Sequence, residues 1–346
     1  MPKQSAQSHR KDEHYFLAEK FYQEAASAGF DQVRFVRSAL PETAVSDVQL
    51  GGKIASVRWN APIFINAMTG GSPTTGKLNA SLARIAARLQ LPIASGSASV
   101  IFSDPSVKDS FTVIRAENPS GTVIANIGAD KTPAQAQQVV ELLHADLLEV
   151  HINAVQELVM PEGERNYHWL ANIQAIIAAV TVPVIVKEVG FGMRQDDFAA
   201  LQNAGATVID VGGHGGTNFA KIENARVHGG GYEFLADFGQ NTVESLLEGQ
   251  NAGVPLIATG GIRTPLDVLK ALRLGADAVG IAGLILHWLT RSGEDECALR
   301  LANFITQING VAALLGASNL QQLRQVPVVY GPKLRNYVEQ RGLALL

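Results

Sequence analysis

Cysteine is almost absent from this 346-residue sequence, and the single Cys297 excludes an internal disulfide. No apolar run reaches the roughly 20 residues that a membrane-crossing helix needs. The polar stretch 1–14 also lacks the apolar core of a secretory signal, so the cytoplasm is the expected location. Charged residues make up only 17% of the chain and the net charge is -4, which leaves no basic excess for general nucleic-acid binding. Low-complexity tracts, exact repeats and any familiar nucleophile or hydrolytic triad are missing as well.

What is present is core material: 47% of residues are hydrophobic, as in an ordinary globular chain with a large interior. Eight short apolar or β-branched runs recur, at 62–66, 91–94, 122–126, 147–151, 183–187, 207–211, 255–259 and 277–281. Amphipathic stretches separate them, so they read as parallel strands covered by helices, and eight such units are the number that closes a barrel. The expected fold is therefore α/β, a single eight-stranded β/α (TIM) barrel over 61–346 with C-terminal helices. An open doubly wound sheet is the alternative that shares the same alternation. Two of the helices carry their start signals, Thr132-Pro133 and Thr264-Pro265. Residues 1–60 form an N-terminal extension. A helix is expected over 10–28 and strands over 33–57, packing on the barrel bottom or on a neighbour. The glycine-rich stretch 212–239 reads as a long lid-like loop, and 299–346 as helices.

Functional groups in such a barrel belong where strands end. The segment His151-Ile152-Asn153-Ala154-Val155-Gln156-Glu157 follows the fourth strand and crowds four polar side chains there. It also fits an ordinary helix start with an acid in its first turn. Gly260-Gly261-Ile262-Arg263 follows the seventh strand and Ala282-Gly283 the eighth, where glycines let backbone N–H groups approach a phosphate. Lys187 closes the fifth strand and points into the barrel mouth, where it needs an anion or an electron-rich partner. Ala67-Met68-Thr69-Gly70-Gly71, Ser95 to Ser99 and Asn126 line one wall with donors and acceptors that suit a flavin ring. Near the N-terminus, Arg10, Lys11 and His14 form a cationic cluster that is either a solvated tail or a diphosphate clamp.

Taken in order, Arg10-Lys11-x-x-His14, Met68-Thr69-Gly70-Gly71, Asn126-Ile127-Gly128, His151-x-Asn153-x-x-Gln156-Glu157, Lys187-Glu188-Val189-Gly190, Gly260-Gly261-Ile262-Arg263 and Ala282-Gly283 resemble the type 2 isopentenyl-diphosphate isomerase family over nearly the whole chain. The resemblance implies a 1,3-proton shift between isopentenyl and dimethylallyl diphosphates, with reduced FMN, NADPH as its reductant, and Mg2+. It implies that Arg10, Lys11, His14, Ser97 and Ser99 bind substrate and that Glu157 holds the metal. Gln156 would meet the reacting end, with His151 and Asn153 positioning the group. Ala67, Met68, Thr69, Ser97, Asn126, Lys187 and Thr217 would contact FMN, and Gly261, Ile262, Arg263, Ala282 and Gly283 its phosphate. Apart from the resemblance, the N-terminal arm and the long loop suggest a homotetramer or homo-octamer. The chain departs from the family pattern at Gly212 and His214, where a serine and a small residue are common, and at Phe219, where tryptophan is frequent.

No side-chain pair in the sequence is an evident acid and base for an alkene, which agrees with a cofactor supplying that chemistry. Two other functions share the barrel and cofactor loops: an FMN-dependent 2-hydroxy-acid oxidase or dehydrogenase, and a non-catalytic flavin-binding scaffold. The first needs a His-Gly-x-Arg pattern, and His214-Gly215-Gly216-Thr217 lacks the arginine. Glu157→Gln is expected to raise the Mg2+ requirement while flavin absorbance and binding persist; loss of flavin binding would show the residue to be misassigned.

Overall fold

The structure is a computed structural model that describes residues 5–25, 28–227 and 231–346. Strands Ile63–Ile65, Ile93–Ala94, Val123–Gly128, Leu147–His151, Val184–Lys187, Val208–Asp210, Leu256–Thr259 and Ala278–Ile281 form a closed parallel barrel. The last strand pairs with the first, Val279 opposite Ile63, so the open-sheet alternative is excluded. Each run is apolar because its strand is buried on both faces, against helices outside and side chains inside. The expected helix starts are in place: Thr132 caps Pro133–Leu143 by accepting from Gln135 N–H, and Thr264 caps Pro265–Arg273 by accepting from Asp267 N–H.

The barrel interior is layered. Phe64, Ile124, Leu147, Ile185, Val208 and Ile257 form an apolar cluster at one level. Ile54 and Trp59 join it from a short hairpin, Gly52–Ile54 paired with Val57–Trp59, which plugs the bottom of the barrel. Side chains alternate across a strand, so the residues two positions further on also face inward. Those are Asn126, Glu149, Lys187, Asp210 and Thr259, a polar layer in a barrel otherwise filled with hydrocarbon.

Three expectations need correction. The N-terminal helix runs over Ala6–Lys20 rather than 10–28, because Tyr22 leaves the helical path to stack on His287, with ring centroids 4.0 Å apart. Residues 26 and 27 lie outside the described residues. The stretch 212–239 is not one loop: it holds the helix Phe219–Arg226, capped by the Asn218 side chain, and a short 3-10 turn, Glu233–Asp237. The tail is not all helix, since Pro327 breaks it and Val328–Tyr330 pairs antiparallel with Val33–Phe35. The strands expected over 33–57 are present but short, Val33–Phe35 and Gly52–Ile54 with Val57 opening the next, and a 3-10 turn, Val45–Asp47, lies between them.

Trp59 is 2% exposed, and truncating it empties the barrel bottom. Trp59→Ala is expected to destabilise the protein by about 3–5 kcal/mol in urea unfolding. A loss below about 1 kcal/mol would mean that the hairpin covers the barrel without packing into it.

Candidate active site

A cavity of about 460 Å³ opens at the C-terminal ends of the barrel strands, the face where barrels carry their sites. The residues assigned to substrate, cofactor and metal line it, though Gly70, Gly71 and Ser95 do not: Ala67, Met68 and Thr69 come after the first strand, Ser97 and Ser99 after the second, Asn126 on the third. His151, Asn153, Gln156 and Glu157 come from the fourth, Lys187 from the fifth, and Thr217 from beyond the sixth. Gly261, Ile262, Arg263, Ala282 and Gly283 form the far wall. Across the opening lies the N-terminal helix, which brings Arg10, Lys11 and His14 to the same space.

The floor is charged. Lys187 is 5% exposed; its Nζ donates to the Glu188 carbonyl at 2.9 Å and lies 3.8 Å from Asp210 Oδ2. Glu188 turns away, and its carboxylate accepts from the N–H groups of Val189, Gly190 and Phe191 at 2.5–2.7 Å. The anions that answer Lys187 are therefore Asp210 and Glu149, neither of which stood out as a site residue in the sequence. Burial pushes the Glu149 carboxyl up to about 7, against the opposing pull of Lys187. Burial raises Asp210 too, while Lys187 and a hydrogen bond from Thr259 work the other way. A carboxylate at an inward position of an apolar strand, Glu149 within Leu147–His151 and Asp210 within Val208–Asp210, is the signal that marks them.

The fourth-strand segment is held by its own hydrogen bonds. Asn153 Nδ2 donates to Glu157 Oε1 at 2.9 Å and to Gln156 Oε1 at 3.4 Å. The other end of the Gln156 amide donates to Glu223 Oε1 at 2.9 Å. Glu223 is fully buried and lies on the helix Phe219–Arg226, inside the stretch expected to be loop, so nothing in the sequence singles it out. It also meets His14 Nε2 at 2.8 Å and the Arg226 guanidinium. Burial works against its ionisation, but His14, then Gln156 and Arg226, outweigh that and hold it down to about 2. Arg226 goes on to Glu13 at 3.0 Å, and Arg10 reaches Glu162 at 3.0 Å.

Burial, followed by the charges of Lys187, Lys11 and Lys131, pushes His151 down to about 3, so the imidazole is neutral. Lys11 is lowered to about 8 by burial and by neighbouring Arg10. Gly212 sits at φ 46, and a Cβ there would lie 2.1 Å from the Glu188 carbonyl oxygen, so the serine common in the family has no room here. His214 does not line the main cavity; its Nε2 faces the Ala236 carbonyl at 3.0 Å.

The cavity has the features a flavin phosphate and ring require. A Cβ on Gly216 would come within 2.7 Å of the Gly261 N–H nitrogen, so bare backbone lines that wall. The helix Gly283–Leu314 starts there with no side-chain cap on its first N–H groups, and the buried Thr69 hydroxyl has no hydrogen-bond partner. Among the described residues no group of three His, Cys, Asp or Glu side chains could hold a metal alone. Glu157 supplies a single carboxylate, which suits a metal whose remaining ligands are phosphate oxygens and water.

Fold and site together define a flavin-type β/α barrel, and the FMN-dependent dehydrogenase family model matches residues 114–329. A solved (putative) lactate oxidase of Pediococcus acidilactici superposes with a TM-score of 0.68 at 17% identity, covering 91% of this chain and 94% of that one. Mandelate oxidase superposes at 0.63 with 18% identity over 92% of each chain, and these likenesses establish the fold alone. The isopentenyl-diphosphate delta-isomerase of Latilactobacillus sakei subsp. sakei is 51% identical over 99% of each chain. That of Nocardia farcinica is 45% identical over 97% of this chain and 94% of its own. The chain belongs to the isopentenyl-diphosphate delta-isomerase family.

Below about 8 the Lys11 ammonium is charged, and above it the charge is lost. Affinity of the flavin-loaded protein for inorganic pyrophosphate is therefore expected to fall by about tenfold more between pH 7 and 9 than in Lys11→Met, a difference that follows from one proton. Calorimetric titration of both proteins checks this, and parallel pH curves would remove Lys11 from the anion site.

Proposed function

We propose that the protein interconverts isopentenyl diphosphate and dimethylallyl diphosphate in isoprenoid biosynthesis. The observation that carries this is the meeting of Arg10, Lys11 and His14 with Asn153, Gln156 and Glu157 across one glycine-walled cavity, in a chain of this family. The cationic helix and the single carboxylate suit a magnesium diphosphate, with Arg10 and Lys11 on the phosphates and Glu157 on the metal. Reduced FMN, generated by NADPH, supplies proton donor and acceptor chemistry at the alkene when bound.

The protein residues bind and orient. Gln156 is fixed at both ends of its amide, by Glu223 and Asn153, so its plane is preset beside the substrate. Lys187 and the far-wall residues Gly261, Ile262, Arg263, Ala282 and Gly283 hold the cofactor, with Ala67, Met68, Thr69, Ser97, Asn126 and Thr217 on its other edges. Ser97 and Ser99, joined by a 3.1 Å hydrogen bond, and His151 complete the substrate wall. We take the protein as a cytoplasmic homotetramer or homo-octamer; exposed Phe16, Phe234 and Phe238 provide apolar surface for subunit contacts. Among the described residues no helix is long and apolar enough to cross a membrane.

Anaerobic incubation with FMN, NADPH and Mg2+ in deuterated water is expected to form dimethylallyl diphosphate carrying solvent deuterium. No turnover by fully reduced, flavin-loaded protein overturns the assignment, and oxidation of lactate or glycolate replaces it with a hydroxy-acid oxidase.

A further inference from the structure

His151 and Glu149 face the barrel interior from the same strand, two residues apart, and Asn126 on the neighbouring strand connects them. Asn126 Nδ2 donates to Glu149 Oε2 at 2.7 Å, and its Oδ1 lies 2.8 Å from His151 Nδ1. Asn126 is 3% exposed and Glu149 is fully buried, so water does not compete for either contact. The roles in this chain are fixed by the acid. Burial pushes the Glu149 carboxyl up to about 7, so at pH 8 it is mostly ionised and accepts without donating, and Asn126 turns its amide N–H to Glu149 and its oxygen to His151. The flipped amide would set two acceptor oxygens 2.7 Å apart with no proton between them. With Oδ1 facing the ring, Nδ1 has to carry the proton, and the other ring nitrogen is left as a lone pair.

We propose that Glu149 is a positioning residue for His151: through Asn126 it fixes the imidazole as its Nδ1–H tautomer and presents a bare Nε2 to the substrate cavity. The ring lines that cavity, and its Nε2 lies 3.4 Å from where a Cβ on Gly128 would stand, a space that the Asp130 carboxylate borders. Burial, reinforced by Lys187, Lys11 and Lys131 and opposed by a hydrogen bond to the Ile127 carbonyl, keeps the ring from becoming an imidazolium, which would donate from both nitrogens. Toward the cavity His151 thereby accepts a hydrogen bond through Nε2, while its Nδ1–H donates to Asn126. Its complement on the ligand is an O–H or N–H group, and a water molecule on a diphosphate-bound cation belongs to that class. Bare phosphate oxygens do not. Lys187 and Asp210 lie on the other side of Glu149, and Lys187 favours the ionised carboxylate that the relay requires.

The kinetic part of this inference rests on the proposed isomerase activity, whereas the tautomer is a property of the chain and is measured without turnover. In flavin-loaded, substrate-free protein labelled with 15N-histidine, long-range 15N–1H correlation at pH 8 is expected to show His151 with a pyrrole-type Nδ1 and a pyridine-type Nε2. Its signals are assigned by their loss in His151→Gln. A protonated Nε2 at that pH overturns the proposal, whether or not the protein turns substrate over. In Glu149→Gln the amide can donate as well as accept, so the constraint on Asn126 is lifted. Mixed tautomers are expected there, with kcat lowered about tenfold and KM and the flavin spectrum kept, the size seen when outer partners that orient a histidine are removed. A pure Nδ1–H form with unchanged kcat in that variant also overturns it.

Discussion

The site depends on one buried cation. Lys187 stands in the barrel interior with Asp210 and Glu149 for company, directly above a layer of hydrocarbon. Removing an ammonium from water is expensive, and its two carboxylates share the same burden, so each makes the other tolerable. The arrangement therefore holds only as a set. Taking away Lys187 would strand two acids in the core, and taking away both acids would strand the lysine. A polar layer of this kind adds little to stability, but it fixes where the hydrocarbon ends and where a cofactor can rest.

Everything above that layer is arranged around the boundary. Asn126 and Thr259 donate to one oxygen of each carboxylate from the third and seventh strands, leaving Glu149 Oε1 and Asp210 Oδ2 without a hydrogen bond. Glu188 caps the turn after the fifth strand with three N–H bonds, which brings its carbonyl against Gly212 and leaves that position closed to any larger residue. The sixth-strand loop then passes into a helix that delivers Glu223 beneath Gln156. Substrate-side and cofactor-side groups are thus tied by a continuous set of contacts through the strand ends.

How much of this is legible in the sequence follows from where the information lies. Strands buried on both faces must be apolar along their whole length, so the eight runs and their closure into a barrel are visible. Strand-end residues are visible because polarity after such a run is conspicuous, and His151 to Glu157 is the clearest case. Glu149 and Asp210 are hidden in the apolar runs themselves; their significance lies in inward parity and in neighbours that only the closed register supplies. Glu223 is less accessible still. It sits 67 residues from Gln156 in a stretch whose glycines mask a short helix, and its partners come from three separate segments. The strand Val328–Tyr330 is of the same kind, since its partner lies at the other end of the chain.

The N-terminal helix has a predominantly polar sequence, and it is moored by ion pairs, Glu13 to Arg226, Arg10 to Glu162 and Glu19 to Arg291, and by polar contacts of His14 with Glu223 and of Glu19 with His287. A lid fastened this way responds to the ionic strength of the medium. Several of its pairs are partly exposed, within reach of counterions whose screening length is about 8 Å at physiological ionic strength. Dissolved salt is thus a second occupant of the latch, competing for the same side chains that meet an incoming anion.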